Sequence, residues 1–505
     1  MKFAPAILLQ TVIAVALLAP AIAPIDAAAK PPRPGAPGAA AIANLEPFLD
    51  GVMAQQIASR EVAGAVVTVV RDGRILFSRG YGLADVDRGI PVDGASTLFR
   101  PGSISKLFTW IALMQQVEAG KIDLDADVNR YIDFVIPEFE GKPIRVRDLL
   151  SHSPGMSDVD GFIAANSKES TPYGEWIKAH IPARLWPAGT EIAYSNYGAA
   201  VAGYIVERVS GEPFADYADK HVFAPLGMTS TTFREPLPEG LISRMAVGYK
   251  LIDGRFVAQP AEFLGPIMPA GSATTSGPDM AKFMLALLHG GALGKVRVLS
   301  PKSMALLQSD SFGNSPDLPP MAHGFLVYRH ESPRLVGHAG KTPGFSSDMI
   351  IAPETGTGFF VSVTGGKDSG KGRTELSNLL VGRLFPQVPA PRWTGGETRP
   401  PLGVYRANRR DFSKDAEPTD EIIVTSPKPG RLTIEAGGVK TAWDQVGPTR
   451  YEKVTGARAG GPYEQMQFYT TPLGARLSFA SQPYMAYRLI EARQSVPELP
   501  KGNRP

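Results

Sequence analysis

The chain has 505 residues, of which 43% are hydrophobic and 20% charged, and it contains no cysteine. That composition is typical of a soluble globular protein that is long enough to bury a large core. The absence of cysteine excludes a thiol nucleophile, disulfide bonds and cysteine ligands for zinc or iron–sulfur clusters. A net charge of +3, from 52 basic and 49 acidic side chains, gives no reason to expect a nucleic-acid partner.

Residues 1–29 have the pattern of a secretory signal. Lys2 precedes a mostly apolar run from Ile7 to Leu18, and small residues follow at Ala21–Ala23 and Ala27–Ala29, either of which fits a cleavage site. A membrane anchor is the alternative, but the run is short for a span of about 20 apolar residues and prolines follow it. We therefore expect an exported protein, periplasmic or extracellular, with no stable membrane span after cleavage.

Composition divides the rest of the chain into segments. Residues 30–41 are rich in Pro, Gly and Ala and predict an extended linker, and residues 386–401 predict a second, Pro-rich linker. Between them, residues 42–385 predict one large domain. Short alternating runs over 402–492 predict a small all-β domain, and residues 493–505 predict a disordered tail.

Local patterns predict the elements of the large domain. Ala63 to Gly82 alternates around Asp72-Gly73, which indicates a β-hairpin. Apolar spacing and stop signals predict helices over Leu107–Val117, Ala199–Val209, Asp279–Leu287 and Thr374–Leu384, and strands over Asp348–Ile351 and Gly358–Val363. A hairpin, then helices, then strands with a helix favour an α+β arrangement.

Ser103 is the one serine in the chain with a lysine three residues later, Lys106. At the start of a helix the two side chains share one face, so the amine can act as a base for the hydroxyl, and the free N–H groups there can hold an oxyanion. The alternative is a helix-capping serine beside a surface lysine. Taken alone, the pair is a weak signal.

Two further motifs lie later in the chain. Tyr194-Ser195-Asn196 is the one Tyr-x-Asn among 15 tyrosines, and it occupies a loop before a helix. A phenol can relay a proton, and an amide can hold a carbonyl or a lysine. His338-Ala339-Gly340 lies in an expected strand, where the glycine lets a substrate backbone approach closely.

These three motifs, in this order, resemble those of the serine β-lactamase and penicillin-binding-protein superfamily, on the branch of class C β-lactamases, DD-peptidases and related esterases. The resemblance covers about residues 45–385, and the stretches that support it are Val117–Asp125, Asp148–Gly155, Pro225–Met228 and Pro269–Ser272. The resemblance implies an antiparallel sheet flanked by helices, packed against a mostly helical subdomain, with the site between them. The C-terminal β region lies outside it.

The resemblance also implies roles. Ser103 would attack a carbonyl and become acylated, and Lys106 and Tyr194 would take and return its proton; which of the two is the base stays open. Asn196 would orient the substrate and Lys106, with His338 and Gly340 also on the substrate side. The backbone N–H groups of Ser103 and Lys341 would form the oxyanion hole.

The third motif departs from the class C pattern. Those enzymes carry Lys-Thr-Gly there, and this chain contains no such tripeptide. His338 replaces a permanent cation, which in the family helps to bind a substrate carboxylate, by a group that is largely neutral at pH 7. Weak β-lactam hydrolysis is therefore expected, and His-x-Gly is similar to the motif of family esterases and some peptidases.

Two classes of function stay open. The first is an exported serine hydrolase, either an esterase or a D-amino-acid peptidase, acting on a small molecule or peptide. The second is a non-catalytic penicillin- or peptide-binding relative. Neither needs a cofactor or metal. The C-terminal β region would shape the cleft, contact a partner or only add stability, and the sequence gives no oligomeric state.

Overall fold

The computed structural model describes Met1 and residues 39–166, 171–367, 369–386, 393–454 and 465–493. The chain divides into two units, residues 1–33 and 34–505, and all helices and strands below belong to the second. Apart from Met1, the predicted signal lies outside the described residues, and so does residue 494 onward of the predicted tail. None of the described helices is long and apolar enough to cross a membrane.

The larger part of the fold is a nine-stranded antiparallel sheet with helices on both faces. Its strand order is β10-β11-β12-β13-β14-β15-β1-β2-β3, and three two-stranded ribbons lie outside it. The strands are β1 Gly64–Arg71, β2 Arg74–Asp85, β3 Ile90–Pro91, β4 Leu98–Phe99, β5 Tyr249–Ile252, β6 Arg255–Ala258, β7 Thr275–Ser276, β8 Ala292–Leu293, β9 Val296–Arg297, β10 Asp310–Phe312, β11 Met321–Ala322, β12 Leu326–Arg329, β13 Leu335–Thr342, β14 Phe345–Ala352 and β15 Thr357–Thr364.

Two hydrophobic cores cover the two faces of the sheet. The smaller core joins one face to the first and last long helices, and the larger joins the other face to the helices between them. The helices are α1 Ala39–Ala43, α2 Leu45–Ala58, α3 Ser105–Glu118, α4 Val146–Leu150, α5 Tyr173–Ala179, α6 Asn196–Ser210, α7 Phe214–Ala218, α8 Glu239–Ile242, α9 Met268–Gly271, α10 Gly277–Leu288, α11 Pro301–Gln308 and α12 Ser369–Leu384. Because both faces are covered, β14 and β15 are buried along their whole length.

The local predictions agree with this fold. The hairpin is confirmed as β1 and β2, whose turn residues Asp72 and Gly73 both have positive φ, as the two-residue turn requires. The predicted helices and strands lie within α3, α6, α10, α12, β14 and β15. The helices begin earlier than predicted because capping and turn residues extend them; Ser195, for example, caps α6 by accepting the N–H of Gly198 at 2.9 Å.

One boundary prediction is wrong in detail. The composition of residues 30–41 predicts an extended linker, but α1 begins inside it, at Ala39. Its five residues are Ile42 and four alanines, and alanine is the best helix former. Ile42 packs against the smaller core. A short helix is therefore stabilised there by packing that composition alone does not reveal.

The C-terminal region is a closed eight-stranded antiparallel barrel. Its strands are β16 Gly403–Ala407, β17 Glu421–Lys428, β18 Arg431–Ala436, β19 Val439–Gln445, β20 Arg450–Lys453, β21 Gln465–Thr471, β22 Gly474–Phe479 and β23 Tyr487–Ala492, and β23 pairs with β16 to close it. Tyr405, Trp443 and Tyr451 lie in its own core. The predicted fold class is thereby confirmed, an α+β sheet-and-helix domain followed by an all-β domain.

Candidate active site

A pocket of about 430 Å³ lies where the turn before α3, the loop before α6, the end of β13 and the barrel meet. Its wall includes every predicted site residue except Lys106, which is buried beneath it. The residues of interest in the wall are Gly102, Ser103, Tyr194, Asn196, Glu262, His338, Gly340, Lys341, Arg373, Arg409 and Tyr484. The three motifs, which lie far apart in the sequence, thus converge on one cavity.

Ser103 belongs to a single 3-10 turn, Gly102–Ile104, and α3 itself begins two residues later. This turn packs directly against the backbone of β13. A Cβ on Gly102 would lie 2.8 Å from the Lys341 nitrogen, and one on Gly340 would lie 2.8 Å from the Ser103 nitrogen. The two glycines therefore allow the close approach that brings the N–H groups of Ser103 and Lys341 to one place, as an oxyanion hole requires.

Lys106 is fully buried, and its ammonium nitrogen has three polar contacts. Nζ lies 2.7 Å from the carbonyl oxygen of Ala270, 2.9 Å from Oδ1 of Asn196 and 3.1 Å from Oγ of Ser103. The first two atoms only accept hydrogen bonds. A neutral amine that donates to both has its lone pair left for the Ser103 hydroxyl.

The surroundings of Lys106 favour that neutral form. Burial lowers the pKa of its amine well below the ordinary lysine value, and the nearby positive charge of Arg409 lowers the pKa further, while Asp158 opposes the shift. A lysine that loses its proton easily is the kind of base that a serine nucleophile needs.

Tyr194 covers the other side of the serine. Its ring centre lies 4.8 Å from Nζ of Lys106, and its hydroxyl is buried with no hydrogen-bond partner among the described residues. Burial raises the pKa of the phenol, which nearby Ser103 and Arg409 partly offset. The phenol therefore keeps its proton at neutral pH and has a proton to give.

His338 is buried and carries no charge at neutral pH. Burial lowers the pKa of its imidazole to about 3, and the nearby Lys106 adds to the shift. Nδ1 lies 2.6 Å from the carbonyl oxygen of Ala339, which assigns the hydrogen to Nδ1, while the buried Nε2 has no partner among the described residues. The third motif thus brings an uncharged imidazole to the pocket.

His152, which lies in the stretch Asp148–Gly155, packs against Tyr194. The two rings stack with their centres 4.1 Å apart, and Nδ1 of His152 accepts the N–H of Ser195 at 3.2 Å. Burial lowers the pKa of this imidazole well below its ordinary value, so it is a neutral packing partner. Its position two residues beyond the helix Val146–Leu150 gives no indication of this contact.

The barrel contributes two residues that no sequence motif connects with the site. Tyr484 accepts the backbone N–H of Tyr194 at 2.9 Å through its carbonyl oxygen, and its ring lies edge-on to that of Tyr194 at 5.5 Å. The guanidinium carbon of Arg409 lies 4.7 Å from the centre of the Tyr194 ring. No spacing or motif links these positions to residue 194, because the contacts arise from how the barrel packs.

A buried carboxyl group lies elsewhere in the pocket wall. Glu262 is only 9% exposed, its Oε2 has no partner among the described residues, and burial raises its pKa to about 7 in spite of the nearby Arg100. The backbone N–H of Gly344, just beyond the end of β13, bonds to its carboxyl group. Across the described parts of the chain, no three His, Asp or Glu residues are grouped as metal ligands would be.

The family model named "Beta-lactamase" matches residues 49–381, about two thirds of the chain. The chain belongs to the β-lactamase family. Protein flp of Staphylococcus aureus strain MW2 is 25% identical over 317 residues, which are 62% of this chain and 62% of that protein. The chain thus matches less than two thirds of the length of that relative.

Two solved structures extend the comparison. The octameric penicillin-binding protein homologue from Pyrococcus abyssi is similar over 88% of this chain and all of its own, with a TM-score of 0.59 and 21% identity, so it shares the fold. The D-amino acid amidase from Ochrobactrum anthropi SV3 is similar over 68% of this chain and 97% of its own, with a TM-score of 0.56 and 27% identity. The first likeness concerns the fold alone, and the second is to a protein named as a D-amino acid amidase.

Proposed function

We propose that this protein hydrolyses an amide bond through an acyl-enzyme on Ser103, with D-amino-acid amides or peptides as the substrate class. The observation that carries the proposal is the buried Lys106 amine, which is held by two acceptors while its third contact is the Ser103 hydroxyl. A neutral amine donates its two hydrogens to the two acceptors and does not need the serine as a third acceptor. Its lone pair is therefore available to take the proton of the Ser103 hydroxyl.

In acylation, Oγ of Ser103 bonds to the substrate carbonyl carbon while its proton passes to the base, which is Lys106 or Tyr194. The carbonyl oxygen becomes an oxyanion between the N–H groups of Ser103 and Lys341. The bond to the leaving nitrogen then breaks as that nitrogen receives a proton from the phenol of Tyr194, which burial keeps protonated. An amine leaves and an ester remains on Ser103.

Deacylation repeats these steps with water. Before this step, the proton taken from Ser103 replaces the one given to the leaving nitrogen, so that Lys106 and Tyr194 both return to their starting states. Water then gives a proton to the same base, attacks the acyl carbon and forms a second oxyanion. That proton passes to the Ser103 oxygen as its bond to the acyl carbon breaks and the carboxylic acid leaves. Asn196 keeps the Lys106 nitrogen in place throughout, because its amide oxygen bonds to that nitrogen at 2.9 Å.

The likeness to a D-amino acid amidase supports an amide substrate of D configuration. Ester hydrolysis is the second candidate, and the His-x-Gly motif favours it because the motif resembles that of family esterases. Efficient β-lactam hydrolysis is disfavoured, because the buried His338 is uncharged where the class C enzymes carry a lysine.

Purified wild-type protein and S103A are to be compared on D- and L-aminoacyl p-nitroanilides, p-nitrophenyl esters and a chromogenic cephalosporin. We expect D-amide turnover by the wild type that S103A abolishes, and a serine-reactive phosphonate that adds its mass to the wild type only. Ester turnover alone would favour the second candidate. Equal rates in S103A, or no turnover and no labelling, would contradict the proposal, and the latter would favour a binding protein.

We further propose that the protein is exported, on the strength of the signal pattern in residues 1–29. Expression of the full chain in a bacterial host, followed by cell fractionation and N-terminal sequencing, tests this. We expect a mature N-terminus shortly after Ala23 or Ala29 in the exported fraction. Protein that stays inside the cell and still begins at Met1 would contradict it.

A further inference from the structure

The pocket lacks a cation at the position where the class C enzymes have one, because His338 is buried and uncharged. A cation from another part of the chain, Arg409, lies in the pocket wall. Arg409 lies in the loop that follows β16 of the barrel, lines the pocket, and keeps 30% of its side chain exposed. The barrel thus supplies a positive charge that the third motif does not.

The guanidinium group of Arg409 is held in place but not saturated. Its Nε lies 3.2 Å from Oδ2 of Asp158, yet the group donates no hydrogen bond within the described residues. A guanidinium has five N–H donors in a planar fork that matches the two oxygens of a carboxylate. Arg409 therefore has donors available for a bidentate ligand.

The loop that carries Arg409 is attached to the sheet-and-helix part of the molecule by the residues on both sides of Arg409. The Asn408 amide donates to Oε1 of Glu191 at 2.7 Å and to the carbonyl oxygen of Ile192 at 2.8 Å. The carbonyl oxygen of Arg410 accepts the backbone N–H of Asp158 at 3.0 Å. Arg409 is thus held at a fixed place in the pocket rather than at the end of a loose loop.

Another arginine in the wall, Arg373, is less suited to bind a ligand. Its Nη1 donates to Oδ1 of Asp348 at 2.7 Å, and Asp348 also accepts the hydroxyl of Ser377 at 2.6 Å. Nε of Arg373 has no partner among the described residues, but its charge is hydrogen-bonded directly to a carboxylate, whereas Arg409 makes no hydrogen bond to Asp158. Arg409 is therefore the better candidate for a substrate anion.

The position of Arg409 also says which end of the substrate it meets. Its guanidinium carbon is 4.7 Å from the centre of the Tyr194 ring, and Tyr194 is the proton donor to the leaving atom in the mechanism proposed above. A cation beside that donor lies on the side of the leaving group. The acyl side would then face the other wall of the pocket.

We infer that Arg409 of the barrel binds a carboxylate on the leaving group, so that the preferred substrates are peptides with a free carboxyl-terminal D-residue. The inference rests on the proposed function for the reaction, but the binding of a carboxylate can be measured without turnover. It gives the barrel a direct part in substrate selection.

The first test uses two thiol esters of N-acetyl-D-alanine, one with thioglycolate and one with thioglycolamide as the leaving group, which differ in a single charge. We expect R409A to lower kcat/KM for the charged substrate about 10- to 100-fold, the effect of losing a charge-assisted bidentate contact. The uncharged substrate should change less than about threefold, and R409K should be intermediate because it keeps the charge without the fork.

R410A is the matched control. Arg410 is the next residue of the same loop, but its guanidinium lies over the Phe412 ring at 3.9 Å and not in the pocket. R410A removes a charge of the same sign from the same loop, but Arg410 does not line the pocket. The kcat/KM values of both substrates should therefore stay unchanged. Equal losses on the two substrates in R409A, with a shifted pH profile, would mean that Arg409 acts only through Tyr194 and Lys106 and would overturn the inference, as would no loss at all.

The second test is calorimetric binding of N-acetyl-D-alanyl-D-alanine and its carboxyl-terminal amide to S103A and to S103A/R409A. We expect S103A to bind the acid at least about 10-fold more tightly than the amide, and the double variant to lose that preference. If S103A prefers the acid to the amide but the wild type turns over no substrate, the proposed function alone would be refuted. Equal binding of acid and amide by S103A would refute the role of Arg409 alone.

Discussion

The sheet-and-helix part and the barrel contribute to the same pocket in different ways. The first supplies the turn that carries Ser103, the buried Lys106 and the β13 backbone, all within local sequence motifs. The barrel supplies Arg409 and Tyr484 through its loops, and it has a hydrophobic core of its own. The groups that we propose for the reaction thus come mainly from local motifs of the first part, whereas both parts form the environment of Tyr194.

The strongest test of this division concerns Lys106. K106M should lower kcat about 10⁴-fold, because no other amine lies within hydrogen-bond distance of Ser103 Oγ among the described residues. The protein should stay folded, since methionine fills a similar apolar volume. Steady-state kinetics and a thermal melt check both points, and a variant that keeps more than a tenth of wild-type kcat would remove Lys106 from the mechanism.

Tyr194 lies at the junction of the two parts. Y194F keeps the stacking on His152 but removes the hydroxyl, so kcat for an amide should fall about 10²- to 10³-fold. The loss should be smaller for a p-nitrophenyl ester, whose leaving group needs no proton. A comparison of the two substrates measures this, and equal losses would assign the phenol to the base rather than to the leaving-group donor.

A substitution of Asn408 tests how firmly the barrel is attached to the sheet-and-helix part. It is 7% exposed, and its amide bonds to Glu191 and Ile192 on one side and to the N–H of Ala486 on the other. N408A should lower the free energy of unfolding by about 2–3 kcal/mol and lower kcat/KM through Arg409. T425A, on an exposed barrel position, is the control and should change stability by less than about 0.5 kcal/mol.

Lys106 should also make stability depend on pH. Its pKa is lowered in the folded protein, so between that value and the unfolded one of about 10.4 the unfolded chain binds more protons and stability rises with pH. The stability of the wild type relative to K106M should therefore increase from pH 7 to pH 9.5, by at most about 1.4 kcal/mol per pH unit. Denaturant unfolding at both values measures this, and a constant difference would contradict the lowered pKa.

The smallest effect concerns the acid side of the pH–rate profile. kcat/KM should fall as pH drops through the pKa of Lys106, while His338, with a pKa of about 3, adds nothing above about pH 5. Glu262, with a pKa raised to about 7, also titrates in the pocket. E262Q should leave the acid limb of the kcat/KM profile within about half a pH unit of its wild-type position. If the acid limb disappears in E262Q, the limb reports the titration of Glu262 instead of Lys106.

Much of the fold and site could be predicted because the signals are local. The Asp72-Gly73 turn, the stop at Gly211 and the Ser103–Lys106 spacing each depend on residues within one or two turns of chain. The linker prediction failed at Ala39 because packing against the smaller core overrides composition. The stacking of His152 on Tyr194 could not be predicted, because the two rings are 42 positions apart in the sequence.

Residue patterns alone indicated the family and pointed to Ser103 as the proposed nucleophile and Lys106 as a candidate base, because the two side chains lie one helical turn apart and the three motifs occur in order. The burial of Lys106, the uncharged state of His338 and the presence of Arg409 and Tyr484 in the pocket follow only from how distant segments pack together. Burial and charge are properties of what surrounds a residue. In this protein those surroundings come from segments hundreds of residues apart, such as residues 194 and 409.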